Sequence, residues 1–131
     1  MKKKGNMKMS KKTITLKTPL ITEEVEISIH TYANNGNLCV SLSSRDEYGN
    51  AEPFADATVN LDVKLPAFQA YIKNYSENEG FLDFMTANGF GITLGKVHQG
   101  FSEYTLLVFD EARLREFDED GVDRYMKGAC S

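Results

Sequence analysis

The stretch Glu24-Val25-Glu26-Ile27-Ser28-Ile29-His30-Thr31-Tyr32-Ala33-Asn34-Asn35-Gly36-Asn37-Leu38-Cys39-Val40-Ser41-Leu42 decides the fold. Apolar and polar residues alternate along it, the period of a strand with one buried face. Val25, Ile27 and Ile29 point inward, and Glu24, Glu26, Ser28 and His30 point the other way. Asn35-Gly36 tolerates the positive φ angles of a type I′ turn, so Ala33–Gly36 predicts a hairpin. Leu38, Val40 and Leu42 then return on the inward face.

The same reading extends in both directions. Lys12–Lys17 alternates, which predicts a strand with Ile14 and Leu16 inward. Ser44–Asn50 predicts a turn. Glu52–Leu61 predicts a fourth strand with Ala57, Val59 and Leu61 inward, Pro53 suiting its start or an edge. Pro66 breaks the pattern, and Phe68–Asn74 reads either as a short helix or as an extended connector. Ser76-Glu77-Asn78-Glu79 is a capping box, since each end can satisfy a backbone N–H of the other. It predicts a helix to Asn88, stopped by a left-handed Gly89. Phe81, Leu82, Phe84 and Met85 would lay that helix on the apolar sheet face. Ile92–Val97 and Tyr104–Phe109 read as two more strands, the second apolar on both sides. Asp110 can cap a last helix over Glu111–Phe117.

The expected fold is therefore α+β. It is an antiparallel meander sheet of about six strands, with one main helix packed on one face and a short C-terminal helix. Residues 1–11 read as a flexible Lys-rich arm, 12–118 as a single α+β domain, and 119–131 as an acidic to polar tail.

At 131 residues and 14.7 kDa the chain buries enough surface to fold without a disulfide or metal. Eight Phe and six Tyr exclude global disorder. No run of apolar residues reaches the length of a membrane span, and no apolar region follows Lys2-Lys3-Lys4 to make a signal peptide. A cytoplasmic location is the expectation. The net charge of −4 hides an asymmetry: seven Lys and no acid lie in residues 1–17, against eight basic and nineteen acidic residues after them. A body of that charge repels phosphates, so direct nucleic-acid binding is disfavoured and another protein is the expected partner. Cys39 and Cys130 are far apart without metal-ligand spacing, and read as free thiols.

Chemistry has few carriers. A nucleophile-and-base enzyme needs His beside Ser or Cys, and only His30 and His98 exist. His30 shares the outward face with Ser28 and Ser41, while His98 falls in the turn before Phe101. His30 reads first as a solvated strand histidine, and His98 as a histidine making a loop hydrogen bond. Asp118-Glu119-Asp120-Gly121-Val122-Asp123 resembles half of a calcium loop but lacks the closing bidentate Glu. Gly89, Gly91, Gly95 and Gly100 follow a helix and flank strands, whereas a phosphate loop precedes a helix. No cofactor and no metal site is expected. The residues expected to meet a partner are Glu24, Glu26, Tyr32, Asn34 and Phe54 on the outer sheet face, then Asp118, Glu119 and Asp120.

Several pieces carry a family resemblance: Lys12–Pro19, Thr31–Leu38, Glu52–Asp56 with Thr58–Leu61, Ala87-Asn88-Gly89, and Gly100-Phe101 leading to Leu107-Val108-Phe109-Asp110. Over Lys12–Asp118 the chain resembles a group of short bacterial proteins that carry a domain of unknown function, common in Gram-positive gut bacteria and on their plasmids, conjugative elements and phages. The Lys-rich start and the tail after Asp118 look peculiar to this chain. The resemblance implies a mobile-element setting and assigns no catalytic residue. The function expected is that of a small binding protein of a mobile element acting by protein–protein contact, as a counter-defence (anti-CRISPR or antirestriction-like) inhibitor or an accessory regulator. The alternatives are a minimal enzyme using His30 or His98, and a self-associating structural protein.

Overall fold

A computed structural model describes residues 12–74 and 78–129. The elements are β1 (Thr13–Lys17), β2 (Thr22–Thr31), β3 (Leu38–Arg45), β4 (Ala51–Asp56), β5 (Thr58–Val59), β6 (Gln69–Ile72), α1 (Phe81–Ala87), β7 (Gly91–Gln99), β8 (Ser102–Phe109) and α2 (Glu111–Ala129). They form two antiparallel four-stranded sheets, of order β1-β2-β3-β4 and β5-β6-β8-β7. The fold is α+β, but the single six-stranded meander with one main helix is corrected.

The first sheet follows the alternation. Ile27 sits opposite Leu42 and Ile29 opposite Val40, all inward and buried. The β2–β3 connection is wider than a two-residue turn. Tyr32 N–H donates to the Asn37 carbonyl and Gly36 N–H to the Tyr32 carbonyl, and of Asn35 and Gly36 only Gly36 takes a positive φ, +77°.

The fourth predicted strand divides at Ala57. Ala57 N–H donates to the Val40 carbonyl at 2.9 Å, and the Thr58 hydroxyl accepts the Val40 N–H at 3.1 Å. Val40 has then spent both backbone groups at a corner. Beyond it the chain leaves the first sheet, and Thr58 and Val59 pair with Ile72 and Tyr71 of β6. This corner is the reason one sheet becomes two. The ambiguous Phe68–Asn74 supplies β6. The capping box expected at Ser76–Glu79 falls partly on residues 75–77, outside the described residues, as do residues 1–11 and Cys130.

The two inner faces and both helices share one core, with Leu16, Ile29, Leu42, Ile72, Phe81, Phe90, Leu107 and Tyr125 fully or almost fully buried. Gly89 at φ +77° ends α1 as expected. Asp110 caps α2, its Oδ1 accepting the N–H groups of Ala112 and Arg113. That helix does not stop near Phe117 or give way to a loose tail. It kinks at Asp118 (φ −155°, ψ 75°) and continues to Ala129, burying Val122 and Tyr125. Asp118 is the cap of this second stretch: its Oδ1 accepts the Gly121 N–H at 3.1 Å. Its Oδ2 accepts the Ile29 N–H at 2.8 Å. A strand edge and a helix start are thus closed by one carboxylate.

Gly121 is required by closeness: a methyl group there would sit 2.7 Å from the Ile29 carbonyl and overlap the Asp118 carboxylate. Gly121→Ala is expected to cost about 1–3 kcal/mol through forced separation of α2 from β2. Asp118→Ala is expected to cost about 2 kcal/mol from loss of the cap and the β2 bond. Urea unfolding of the full chain measures both, and values within error of wild type would refute the assignment.

Candidate functional site

The outward face of the first sheet is built in rows fixed by register. Glu26 lies opposite Ser43, Ser28 opposite Ser41, and His30 opposite Cys39. On the next strand Ser41 lies opposite Asp56 and Ser43 opposite Pro53. Phe54 is the extra residue of a bulge there, and a bulge sharpens the local bend. At this bulge lies an open groove of about 520 Å³. Ser28, His30, Ser41 and Ser43 line one side, and the Ala51–Asp56 strand lines the other.

Hydrogen bonds set what this face presents. The Ser41 hydroxyl donates to Asp56 Oδ1 at 2.8 Å, and Cys39 Sγ lies 3.7 Å from Ser41 Oγ. Cys39 is a buried free thiol. Tyr32 OH lies 3.1 Å from the Thr58 hydroxyl and donates to the Thr58 carbonyl at 3.3 Å. Burial raises the Tyr32 phenol above its ordinary pKa, against a smaller lowering by the Thr58 hydrogen bond. Among the described residues no Lys or Arg lines the groove, while Glu52 and Asp56 do.

The residues singled out from sequence divide into two groups. Glu24 is exposed and accepts the Thr15 hydroxyl at 3.1 Å. Glu26 is only 6% exposed, because Arg45 covers it: Nε reaches Oε2 at 2.9 Å and Nη2 reaches Oε1 at 3.2 Å. That fork holds Arg45 protonated to still higher pH and makes Glu26 a structural residue. Phe54 is half-buried and packs on the core while bordering the groove. Asn34 is exposed, but its side chain is held by Asp62 and Asn60 at 3.0 and 2.8 Å, which ties the β2–β3 turn to the loop after β5. Asp118 is occupied by Ile29 and Gly121 as described. Glu119 pairs with Arg115, which also holds Glu111 and Asp123 at 2.9 and 2.8 Å. Asp120 is exposed on α2. The structure therefore places Phe54 at the groove, Glu24 beside β1 and Tyr32 against Thr58, and puts Asp118, Glu119 and Asp120 on α2.

Of the two histidines, His30 stands at the groove and His98 lies on the β7–β8 hairpin, 3.3 Å from Glu103. Sequence reading missed Asp56, Glu52 and Ser43 as groove residues. Their only signal was the outward alternation of β3, since the bulge at Phe54 shifts the phase of β4. Among the described residues no cluster of three His, Cys, Asp or Glu side chains has metal-holding geometry, and no helix is long and apolar enough to cross a membrane.

These features define an α+β domain of two antiparallel sheets with a hydroxyl- and carboxylate-lined groove on one of them. The chain belongs to the family of the domain of unknown function DUF4313, whose model matches residues 26–128. The match runs past Asp118, so the second stretch of α2 is shared with the family, against the expectation that the tail is peculiar to this chain. No curated protein and no solved structure matches the chain.

Arg45→Ala is expected to destabilise the protein by leaving Glu26 buried without its partner. The double variant Glu26→Met, Arg45→Met is expected to recover most of the loss, as read by urea unfolding. Failure of the double variant to recover would assign the pair a role beyond packing. The buried tyrosines give a pH signature. Tyr32 and Tyr125 both have raised values, so folding favours their neutral forms. Their contribution is complete below about pH 10, the ordinary tyrosine value, and is lost as pH rises through the higher folded values. In a phenolate absorbance titration, Tyr32→Phe and Tyr125→Phe are each expected to remove one late step.

Proposed function

We propose that this chain is a binding protein that works by protein–protein contact, as an inhibitor or accessory regulator of the protein it holds. The observation that carries the reading is the groove on the first sheet. It is open, large enough for several side chains, and lined by hydroxyls and carboxylates with no Lys or Arg among the described residues. Such a lining suits an extended segment of another protein that presents a basic side chain to Asp56 and Glu52. Serine hydroxyls on β2 and β3 supply further hydrogen bonds, and Phe54 and Pro53 supply apolar contact. The charge also supports a protein over a nucleic acid, because phosphates would meet those carboxylates.

The chemistry of the same face weighs against the enzyme alternative. The Ser41 hydroxyl is committed to Asp56 rather than to His30. His98 pairs with Glu103 on an exposed hairpin, away from the groove residues.

A tagged pull-down from bacterial lysate, treated with nuclease, tests the reading. Wild type is expected to retain one stoichiometric protein. Glu52→Lys with Asp56→Lys is expected to lose it, while Asp120→Lys on α2 keeps it. Equal retention by all three would reject the groove, and loss on nuclease treatment would reject protein contact.

A further inference from the structure

The second sheet ends in β7, and no described strand pairs with its outer edge. Nine residues long and without proline, this edge is blunted only by a bulge and by Lys96. Beside the polar Thr93, Lys96, His98 and Gln99 it exposes large apolar side chains: Ile92 is 66% exposed, Leu94 51%, and Phe101 at the hairpin tip is fully exposed.

The bulge narrows the choice of what can cover the edge. Gln99 and Ser102 close a two-residue turn with Gly100 at φ +61°, so they form a hydrogen-bonded pair. Alternation from that pair turns the backbone groups of Gly95, Val97 and Gln99 toward β8, and those of Lys96 and His98 outward. At the other end Asp110 N–H donates to the Phe90 carbonyl at 2.7 Å. This places Ile92 toward β8 and leaves Gly91 and Thr93 outward. Leu94 is the extra residue, since Thr93 lies opposite Leu107 and Gly95 opposite Leu106. The outward groups therefore fall at 91, 93, 96 and 98. A regular strand, stepping by two, matches only one side of the bulge. The pattern reads the same from either end, so an antiparallel strand with the same bulge matches all of it.

We propose that the chain forms a symmetric dimer by antiparallel pairing of β7 with β7 of a second copy, about an axis between Leu94 and Gly95. The two four-stranded sheets become one of eight strands. In this register Gly91 faces His98 of the other copy, and Thr93 faces Lys96. Ile92 meets Val97 on the same sheet face, a favourable apolar cross-strand pair made twice. Leu94 lies over Gly95, where an added methyl group would meet nothing within 4 Å in the single chain. No carboxylate lies on β7, and no like charges stand opposite each other. A cavity of about 390 Å³ lined by Thr86, Gly89, Gly91, Ile92, Val108 and Asp110 lies at the end of β7 opposite to Phe101, so antiparallel pairing runs each hairpin tip toward the end of the other copy that carries it.

The dimer is independent of the groove on the first sheet, and its test reads mass rather than partner capture. Sedimentation of wild-type full chain over a micromolar to millimolar range is expected to give twice 14.7 kDa. Leu94→Asp sets two carboxylates at the axis and is expected to give a monomer. Gly95→Val fills the space of the opposing Leu94 and is expected to weaken the dimer about tenfold or more. Circular dichroism is expected to show both variants folded, since Leu94 lies outside the buried core and a Cβ at Gly95 meets nothing within 4 Å. Register is read by oxidation in a Cys130→Ser background. A chain with Ile92→Cys mixed with a chain with Val97→Cys is expected to form a cross-linked pair, and Ile92→Cys alone is not. A wild-type monomer at all concentrations overturns the proposal, whether the edge is bare or taken by another protein. So does a dimer that survives both Leu94→Asp and Gly95→Val, or one that cross-links in another register.

Discussion

The fold depends on how the backbone of β2 is satisfied beyond Glu26. The neighbouring β1 pairs with β2 only from Thr22 to Glu26. Past that point the N–H and carbonyl of Ile29 face an edge in the middle of the protein, where an unpaired backbone group is costly. Asp118 supplies the missing acceptor. It also caps the second stretch of α2, so the helix cannot shift along β2 without breaking both bonds. Gly121 allows the helix backbone to reach the Ile29 carbonyl. Val122 and Tyr125 then enter the core, and the Tyr125 hydroxyl accepts the Phe68 N–H at 2.8 Å. That last bond holds Phe68 in a left-handed conformation, φ +64°, immediately before β6. One carboxylate thus connects the first sheet, the long helix and the entry to the second sheet.

The groove is a second consequence of local backbone geometry. The bulge at Phe54 and the corner at Ala57 come within four residues of each other. The first interrupts the β3–β4 ladder by one residue, and the second carries the chain off to pair with β6. Phe54 is the residue that both events leave against the core, with the groove on one side and a cavity of about 400 Å³ bordered by Tyr32, Asp56 and Thr58 on the other. The face is polar because β2 and β3 place Ser28, Ser41 and Ser43 outward. Its hollow lies at the bulge of β4.

Much of this was legible in the residues. Period-two alternation located β1, β2 and β3 and their buried sides, because one face of each strand meets one core. The apolar run Tyr104–Phe109 marked β8 as central, and Asp110 and Gly89 marked helix ends. What escaped had non-local causes. The corner at Ala57 is set by Val40, seventeen residues away in sequence, and nothing in Glu52–Leu61 announces a break. Asp118-Glu119-Asp120-Gly121 looks like a helix terminator by composition. It serves as an internal cap only because Ile29 is there to share the carboxylate. Glu26 looked like a surface acid because it lies on the polar phase of β2, and it is buried because Arg45, nineteen residues on, folds over it. Of the residues singled out for the site, Phe54 lines the groove and Glu24 and Tyr32 do not. The outward alternation of β2 and β3 was legible. The concavity was not, since a bulge on β4 has no periodic signature.

The glycines of β7 separate what the single chain needs from what it does not. Gly91 is forced, because any side chain there would run into the Val108 carbonyl and the Leu107 side chain. Gly100 is forced by its positive φ in the tight turn. Gly95 has neither reason: its φ is not positive, and a Cβ would stand in open space. A glycine inside a strand costs roughly 0.5–1 kcal/mol relative to alanine through lost chain entropy. Nothing in the folded single chain offsets that cost. A second copy does, because Leu94 of that copy lies where a side chain on Gly95 would be. The same reasoning accounts for Leu94, an exposed apolar residue on a bulge, a position where solvent alone favours a polar one. The two residues at the symmetry axis are thus an exposed leucine and a glycine that neither a positive φ nor a close approach requires.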